Sequence, residues 1–141
     1  MTIVKTKDYV YCNCVTECRV IDGDSQELRL DLGYNLTVKT KTRVLGIDAP
    51  ENNTEAGKLV TAVHWRWIKG KSLEWKSSEL EKYGRSLGDL FADGKSWSAY
   101  LIDNRLACEY DGKSARKSWT DDELKLIEDR CRLILGVEQT K

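Results

Sequence analysis

Two acidic turns and two arginines are the residues best equipped for chemistry in this sequence. One turn is Asp22-Gly23-Asp24-Ser25. The other is Asp48-Ala49-Pro50-Glu51, reached through Arg43-Val44-Leu45-Gly46-Ile47. Pro50 is the only proline in the chain. Its ring fixes its own φ and pushes the preceding residue out of the helical region. Ala49 is therefore expected to be extended, with its carbonyl and the neighbouring acids presented in a set geometry. Carboxylates from two loops are hard oxygen ligands of the kind that suit calcium and, less well, magnesium. Aspartate is also a favoured turn residue in its own right, so Asp22 and Asp24 alone would signify little. Two such turns together with Arg43 and Arg85 signify more. Arg43 has the strand parity of Leu45 and Ile47. If that face is inward, the guanidinium needs an anionic partner. The partner is either a structural carboxylate or a phosphate, which arginine grips through two parallel hydrogen bonds. Arg85 directly follows Gly84, where a side chain can reach across a cleft. The pattern reads as the lip of a site for a metal and a phosphate.

The elements that must position these residues follow from periodicity. Residues 9–21 are rich in β-branched, aromatic and cysteine residues and read as a long first strand. Residues 27–32 alternate, with Leu28, Leu30 and Leu32 on one face. Residues 36–47 read as a third strand running into the second acidic turn. Asn53 or Thr54 can cap a helix over about 55–68, with Ala56, Leu59, Val60, Val63 and Trp67 as its apolar stripe. Leu73 and Trp75 fit a fourth strand and Leu87–Ala92 a fifth, closed by the turn signal Asp93-Gly94. A second helix is expected over 96–106, with Trp97, Leu101 and Leu106 inward. Thr120-Asp121-Asp122-Glu123 is a capping box. It opens a last helix through Leu124, Ile127 and Cys131, which ends at Gly136. Strands precede most helices, so the class is α+β, a small twisted sheet closed as a barrel. A single domain over 1–141 is expected, with its core at about 9–136 and a loose tail at 137–141.

Composition narrows the options. The 23 basic and 23 acidic residues cancel, which argues against a strongly basic nucleic-acid coat but not against a local cation beside a phosphate. No run approaches the ~20 apolar residues of a membrane span. Met1 to Asp8 has no apolar segment of the signal-peptide kind, so a cytoplasmic protein without a membrane partner is expected. The five cysteines cannot all pair within one chain. Cys12, Cys14 and Cys18 share strand parity and point to one face. Reduced cysteines packed as small hydrophobes are preferred over a zinc site, because Cys-x-x-Cys spacing is absent. His64, between Val63 and Trp65, reads as a helix-surface or packing histidine. Lys113, Arg116 and Lys117 read as a solvated basic face.

The ordered motifs Val20-Ile21-Asp22-Gly23-Asp24-Ser25, Arg43 to Glu51, Lys82-Tyr83-Gly84-Arg85-Ser86-Leu87-Gly88 and Ala92-Asp93-Gly94-Lys95 resemble the staphylococcal nuclease (thermonuclease) family. The resemblance runs from about Arg19 to Gly112. It implies a five-stranded OB-fold β-barrel with three α-helices, and calcium-dependent hydrolysis of phosphodiester bonds in DNA or RNA, single-stranded or unpaired, by a monomer. Carried over by motif position, Asp24 and Asp48 correspond to calcium carboxylates and the carbonyl of Ala49 to a further ligand, with Asp22 behind a bridging water. Arg43 and Arg85 correspond to the pair that grips the phosphate, and Glu51 to the carboxylate beside the attacking water. Lys82, Tyr83 and Tyr110 match substrate-side positions. Ser25 stands where the family usually has threonine, and the segment Cys108-Glu109-Tyr110-Asp111 has fewer aromatics than the family's base-stacking region.

Two other classes remain open from sequence. One is a catalytically weak or inactive nuclease-like OB-fold module that binds single-stranded nucleic acid or protein. Members of that kind usually lose the acids and arginines, whereas Asp24, Arg43, Asp48, Glu51 and Arg85 are all present here. The other is a zinc-stabilised structural domain built on Cys12, Cys14 and Cys18.

Overall fold

A computed structural model describes residues 11–80 and 84–136. In chain order the elements are β1 (Tyr11–Asp22), β2 (Ser25–Gly33), β3 (Leu36–Val44), β4 (Ile47–Asp48), α1 (Glu55–Ile68), β5 (Leu73–Leu80), β6 (Ser86–Ala92), β7 (Lys95–Ser96), α2 (Trp97–Asp103), β8 (Cys108–Glu109) and α3 (Asp121–Leu135). The sheet runs β3-β2-β1-β5-β6, with the short β7 appended, and β3 also pairs with β6. That last pairing is parallel while the others are antiparallel. It closes five strands into a mixed barrel. With three helices this is an α+β OB-fold, as the sequence leads one to expect.

Alternation explains the core. Leu28 and Leu30 on β2, Val44 on β3, Trp75 on β5 and Leu90 on β6 point inward and are buried. Each such side chain contributes roughly 1.5–3 kcal/mol by leaving water. Val60, Val63 and Trp67 of α1, Trp97 and Leu101 of α2, and Ile127 and Cys131 of α3 cover the barrel and join the same core. The capping box of α3 forms as read, with the Glu123 amide donating to Thr120 Oγ1, and Gly136 ends the helix in the left-handed region. Arg66 of α1 donates to the Leu135 carbonyl at 2.7 Å, tying the two helices together. Among the described residues no helix is long and apolar enough to cross a membrane.

Three sequence expectations need correction. The third strand does not continue to residue 47. It stops at Val44, because Gly46 takes a φ of 83° and turns the chain, a conformation open to glycine at little cost. Ile47 and Asp48 then form a separate strand paired with Cys108 and Glu109. Parity is lost at that turn, so Arg43 does not share the inward face of Ile47. The inward neighbours on β3 are Thr42 and Val44. Second, the three strand cysteines do not share a face. A β-bulge between Val15 and Glu17 shifts the register and so flips parity. Cys12 and Cys14 are exposed, while Cys18 turns toward the core. Third, α2 stops at Asp103 rather than 106; Arg105 adopts a φ of 56°, and Leu106 is buried from the turn that follows.

Candidate functional site

Barrel closure assembles the site at one rim. The β2–β3 register sets Ser25 opposite Arg43, and the Val44 amide donates to the Asp24 carbonyl at 2.8 Å. The parallel β3–β6 pair sets Arg43 opposite Leu87, two residues beyond Arg85. A cleft of about 390 Å³ results, lined by Asp24, Arg43, Ala49, Glu51 and Arg85, with Arg116 on its far wall. Asp48 lies just behind. It opens into a smaller hollow of about 220 Å³ that shares Ala49, Glu51 and Arg116 with the cleft.

Each acidic turn is held from beneath. Asp22 Oδ1 accepts from the Asp24 amide at 3.1 Å and from the Ser25 hydroxyl at 2.6 Å. The Asp22 carbonyl accepts from His64 Nδ1 at 3.0 Å, which fixes the proton on that nitrogen because a carbonyl only accepts. The next carbonyl, of Gly23, accepts from Trp97 Nε1 at 2.7 Å. His64 and Trp97 stack with their centroids 4.2 Å apart. His64 is therefore a fully buried buttress rather than a surface histidine. Burial lowers its pKa to about 4 and keeps it neutral. The second turn rests on the start of α1. The Glu51 carbonyl accepts from the Thr54 amide at 3.0 Å and hydroxyl at 2.7 Å, and Thr54 Oγ1 in turn caps the Gly57 amide. The two turns also touch: the Ala49 amide donates to Asp24 Oδ2 at 3.2 Å.

Asp24 and Asp48 are withdrawn from water, with side chains only 5% and 3% exposed. Buried carboxylates require positive charge nearby. Arg43 supplies part of it, with Nη1 3.3 Å from Asp24 Oδ1 and Nη2 3.9 Å from Asp48 Oδ1. Arg116 supplies more, with Nη2 2.5 Å from Asp48 Oδ1 and 3.9 Å from Asp24 Oδ2. Burial raises the Asp24 pKa, and the neighbouring Asp22 adds to the rise; Arg43 and the Ala49 amide pull against it. The hydrogen bond to Asp48 raises Arg116 in turn. Glu51, by contrast, is exposed on the cleft wall.

Among the described residues, no group of three or more His, Cys, Asp or Glu side chains gathers to hold a metal. The carboxylate donors are two, Asp24 and Asp48. Their chemistry nonetheless fits a hard divalent cation, because both offer anionic carboxylate oxygens. The Ala49 carbonyl and water are the remaining oxygen donors at this rim. Of the other sequence-derived positions, Tyr110 lines a separate cleft of about 890 Å³, with its hydroxyl donating to the Ser114 carbonyl. Lys82 and Tyr83 lie outside the described residues. Arg116, read from sequence as part of a solvated face, is the site residue that sequence reasoning missed. It stands 68 residues from Asp48 in the chain, and no local pattern signals that approach.

The fold and site define an OB-type barrel domain with an acid-lined, arginine-rich cleft at one rim. The model of the family described as staphylococcal nuclease homologue matches residues 41–133, and the chain belongs to that family. It is 30% identical over 95 residues to the probable staphylococcal-like nuclease CAN1 of Oryza sativa subsp. japonica, covering 60% of this chain and 29% of that protein. It is 28% identical over 90 residues to the staphylococcal-like nuclease CAN1 of Arabidopsis thaliana, covering 62% and 28%. It is 26% identical over 115 residues to an uncharacterized endonuclease of Escherichia coli O157:H7, covering 81% and 69%. The chain thus spans under a third of the length of these plant relatives.

Proposed function

We propose that this chain is a calcium-dependent nuclease that hydrolyses phosphodiester bonds in DNA or RNA, with single-stranded or unpaired segments as substrate. The observation that carries this reading is the meeting of Asp24, Arg43, Ala49, Glu51 and Arg85 on one cleft, with Asp48 directly behind. Asp24, Asp48 and the Ala49 carbonyl are the groups that would hold the cation, which when bound supplies positive charge to the phosphate oxygens. Arg43 and Arg85 bind the anionic phosphodiester and stabilise the charge that grows on its oxygens as a fifth bond forms to phosphorus. Glu51, exposed on the wall, orients the attacking water and takes its proton on a carboxylate oxygen. Lys82 and Tyr83, on their motif positions alone, and Tyr110 would contribute further substrate contacts.

The test is hydrolysis of single-stranded and heat-denatured DNA with calcium and then with EGTA. Wild-type protein is compared with Arg85→Ala and with Arg43→Ala/Glu51→Ala. Cutting should require calcium and fall at least ~10²-fold in either variant, by analogy with losing one preorganised donor. Near-normal cutting by Arg85→Ala would remove that residue from the mechanism. Absence of cutting by folded wild-type protein with calcium present would favour a binding module, to be followed by titration with single-stranded oligonucleotides.

A further inference from the structure

Arg116 differs from Arg43 in where it is mounted. Arg43 sits on β3 with its side chain 15% exposed, whereas the side chain of Arg116 is 48% exposed and projects from the irregular stretch between β8 and α3. That stretch is fastened at both ends. The Tyr110 amide donates to the Gly46 carbonyl at 2.9 Å. Asp111 Oδ1 gathers the amides of Lys113 and Ser114 and the Ser114 hydroxyl at 2.8–2.9 Å. At the other end Lys117 pairs with Glu123 at 2.7 Å. The backbone thus carries Arg116 to the rim, while the guanidinium itself is half in water and can swing away without opening the core.

Its short contact falls on Asp48 Oδ1, on one of the two carboxylates that would take up a divalent cation. Charge counting makes the two occupants alternatives. Asp22, Asp24, Asp48 and Glu51 around the rim face Arg43, Arg85 and Arg116, a surplus of one negative charge. A divalent cation with Arg116 in place turns that into a surplus of one positive charge beside buried carboxylates, which is costly, whereas departure of Arg116 restores the balance. We propose that Arg116 is a built-in competitor for the cation, holding Asp48 while the site is metal-free and withdrawing when the cation binds, and that it thereby sets the metal affinity of this chain. The inference rests on the calcium reading given above.

Calcium titration by calorimetry, without nucleic acid, tests it. Arg116→Met keeps the aliphatic stem and deletes the guanidinium. It should bind calcium about tenfold more tightly than wild type, as expected for removing one charge-assisted hydrogen bond from a part-exposed pair. Lys117→Met, next in sequence but paired with Glu123 instead, should stay within about twofold of wild type. Equal calcium binding by wild type and Arg116→Met would overturn the competition and leave the calcium reading standing. Equal tightening in both variants would overturn it in favour of a general charge effect. If neither wild type nor Arg116→Met binds calcium, the metal reading falls and the competition falls with it.

Discussion

Gly57→Ala separates two effects of opposite sign. Gly57 is the third residue of α1, and in an open helix position alanine would stabilise by about 1 kcal/mol over glycine. Here a Cβ would stand 1.8 Å from the Glu51 carbonyl oxygen and 2.9 Å from that of Pro50. To reach ordinary contact at 3.4 Å, the Glu51 carbonyl must retreat by about 1.6 Å. It cannot do so freely, because Thr54 holds that oxygen through its amide and its hydroxyl. Overpacking of this kind costs roughly 1–3 kcal/mol, which cancels or exceeds the helix gain. The expected outcome is no gain and a net loss of up to about 2 kcal/mol in urea denaturation, or a fall of up to roughly 8 °C in Tm. The displaced backbone belongs to Glu51, and a misplacement on the order of 1 Å at a reacting group costs about 10²-fold in rate. Nuclease activity should therefore fall by more than stability does, at a temperature where the variant remains folded. A Gly57→Ala protein more stable than wild type, with unchanged activity, would refute the tight packing of α1 against this turn.

His64 predicts an acid limb in stability. Its folded pKa is near 4 against an ordinary 6.5, so the unfolded chain takes up a proton that the native ring refuses. Stability is complete above about pH 6.5 and declines as pH falls toward 4, by about 3 kcal/mol in all. Asp24, raised by burial, acts in the opposite direction, so the measurement is a difference. Urea denaturation from pH 7 to 4 should lose less stability in His64→Phe than in wild type, and parallel curves would exclude His64 as the source. Thr120→Ala removes the acceptor of the Glu123 amide and one partner of its carboxylate; it should cost about 1 kcal/mol in the same assay, with no change in calcium titration.

What was legible in the sequence was whatever depends on neighbours. The capping box at Thr120, the stripe of α1 and the alternation of β2 are local patterns that appear in the structure, β2 only as far as Leu30, since Leu32 is exposed. The acids of the cleft, Arg43 and Arg85 were legible because each sits at a strand end or turn that its own residues define. Two kinds of feature were not. The bulge after Val15 inserts one unpaired residue, and nothing in the identity of Thr16 announces it, so strand parity groups Cys12 and Cys14 with Cys18 although only Cys18 packs on the core. The glycine at 46 was visible, but its positive φ became decisive only when β8 arrived to pair with Ile47 and Asp48. Arg116 belongs to the same group, since its role depends on a carboxylate brought beside it by the whole fold.

Both acidic turns depend on a single element, α1. Thr54 at its N-cap holds the Glu51 carbonyl and is itself held by the Gly57 amide, and His64 two turns beyond Gly57 holds the carbonyl of Asp22. The distance between the two turns is therefore set largely by one rigid helix rather than by the loops themselves. Trp97 reinforces this from α2, stacking on His64 while it binds the Gly23 carbonyl. A pair of buried carboxylates would otherwise push the turns apart, and the guanidiniums of Arg43 and Arg116 offset only the charge, not the position. Asp24 Oδ2 stays tied to the Ala49 amide, so on the proposed calcium reading it is Asp48 Oδ1 that would exchange one cationic partner for another without moving the turns. Geometry held mainly from α1 and α2, with charge carried by the exposed Arg116, would let such a site be preorganised and still accept the proposed change of occupant.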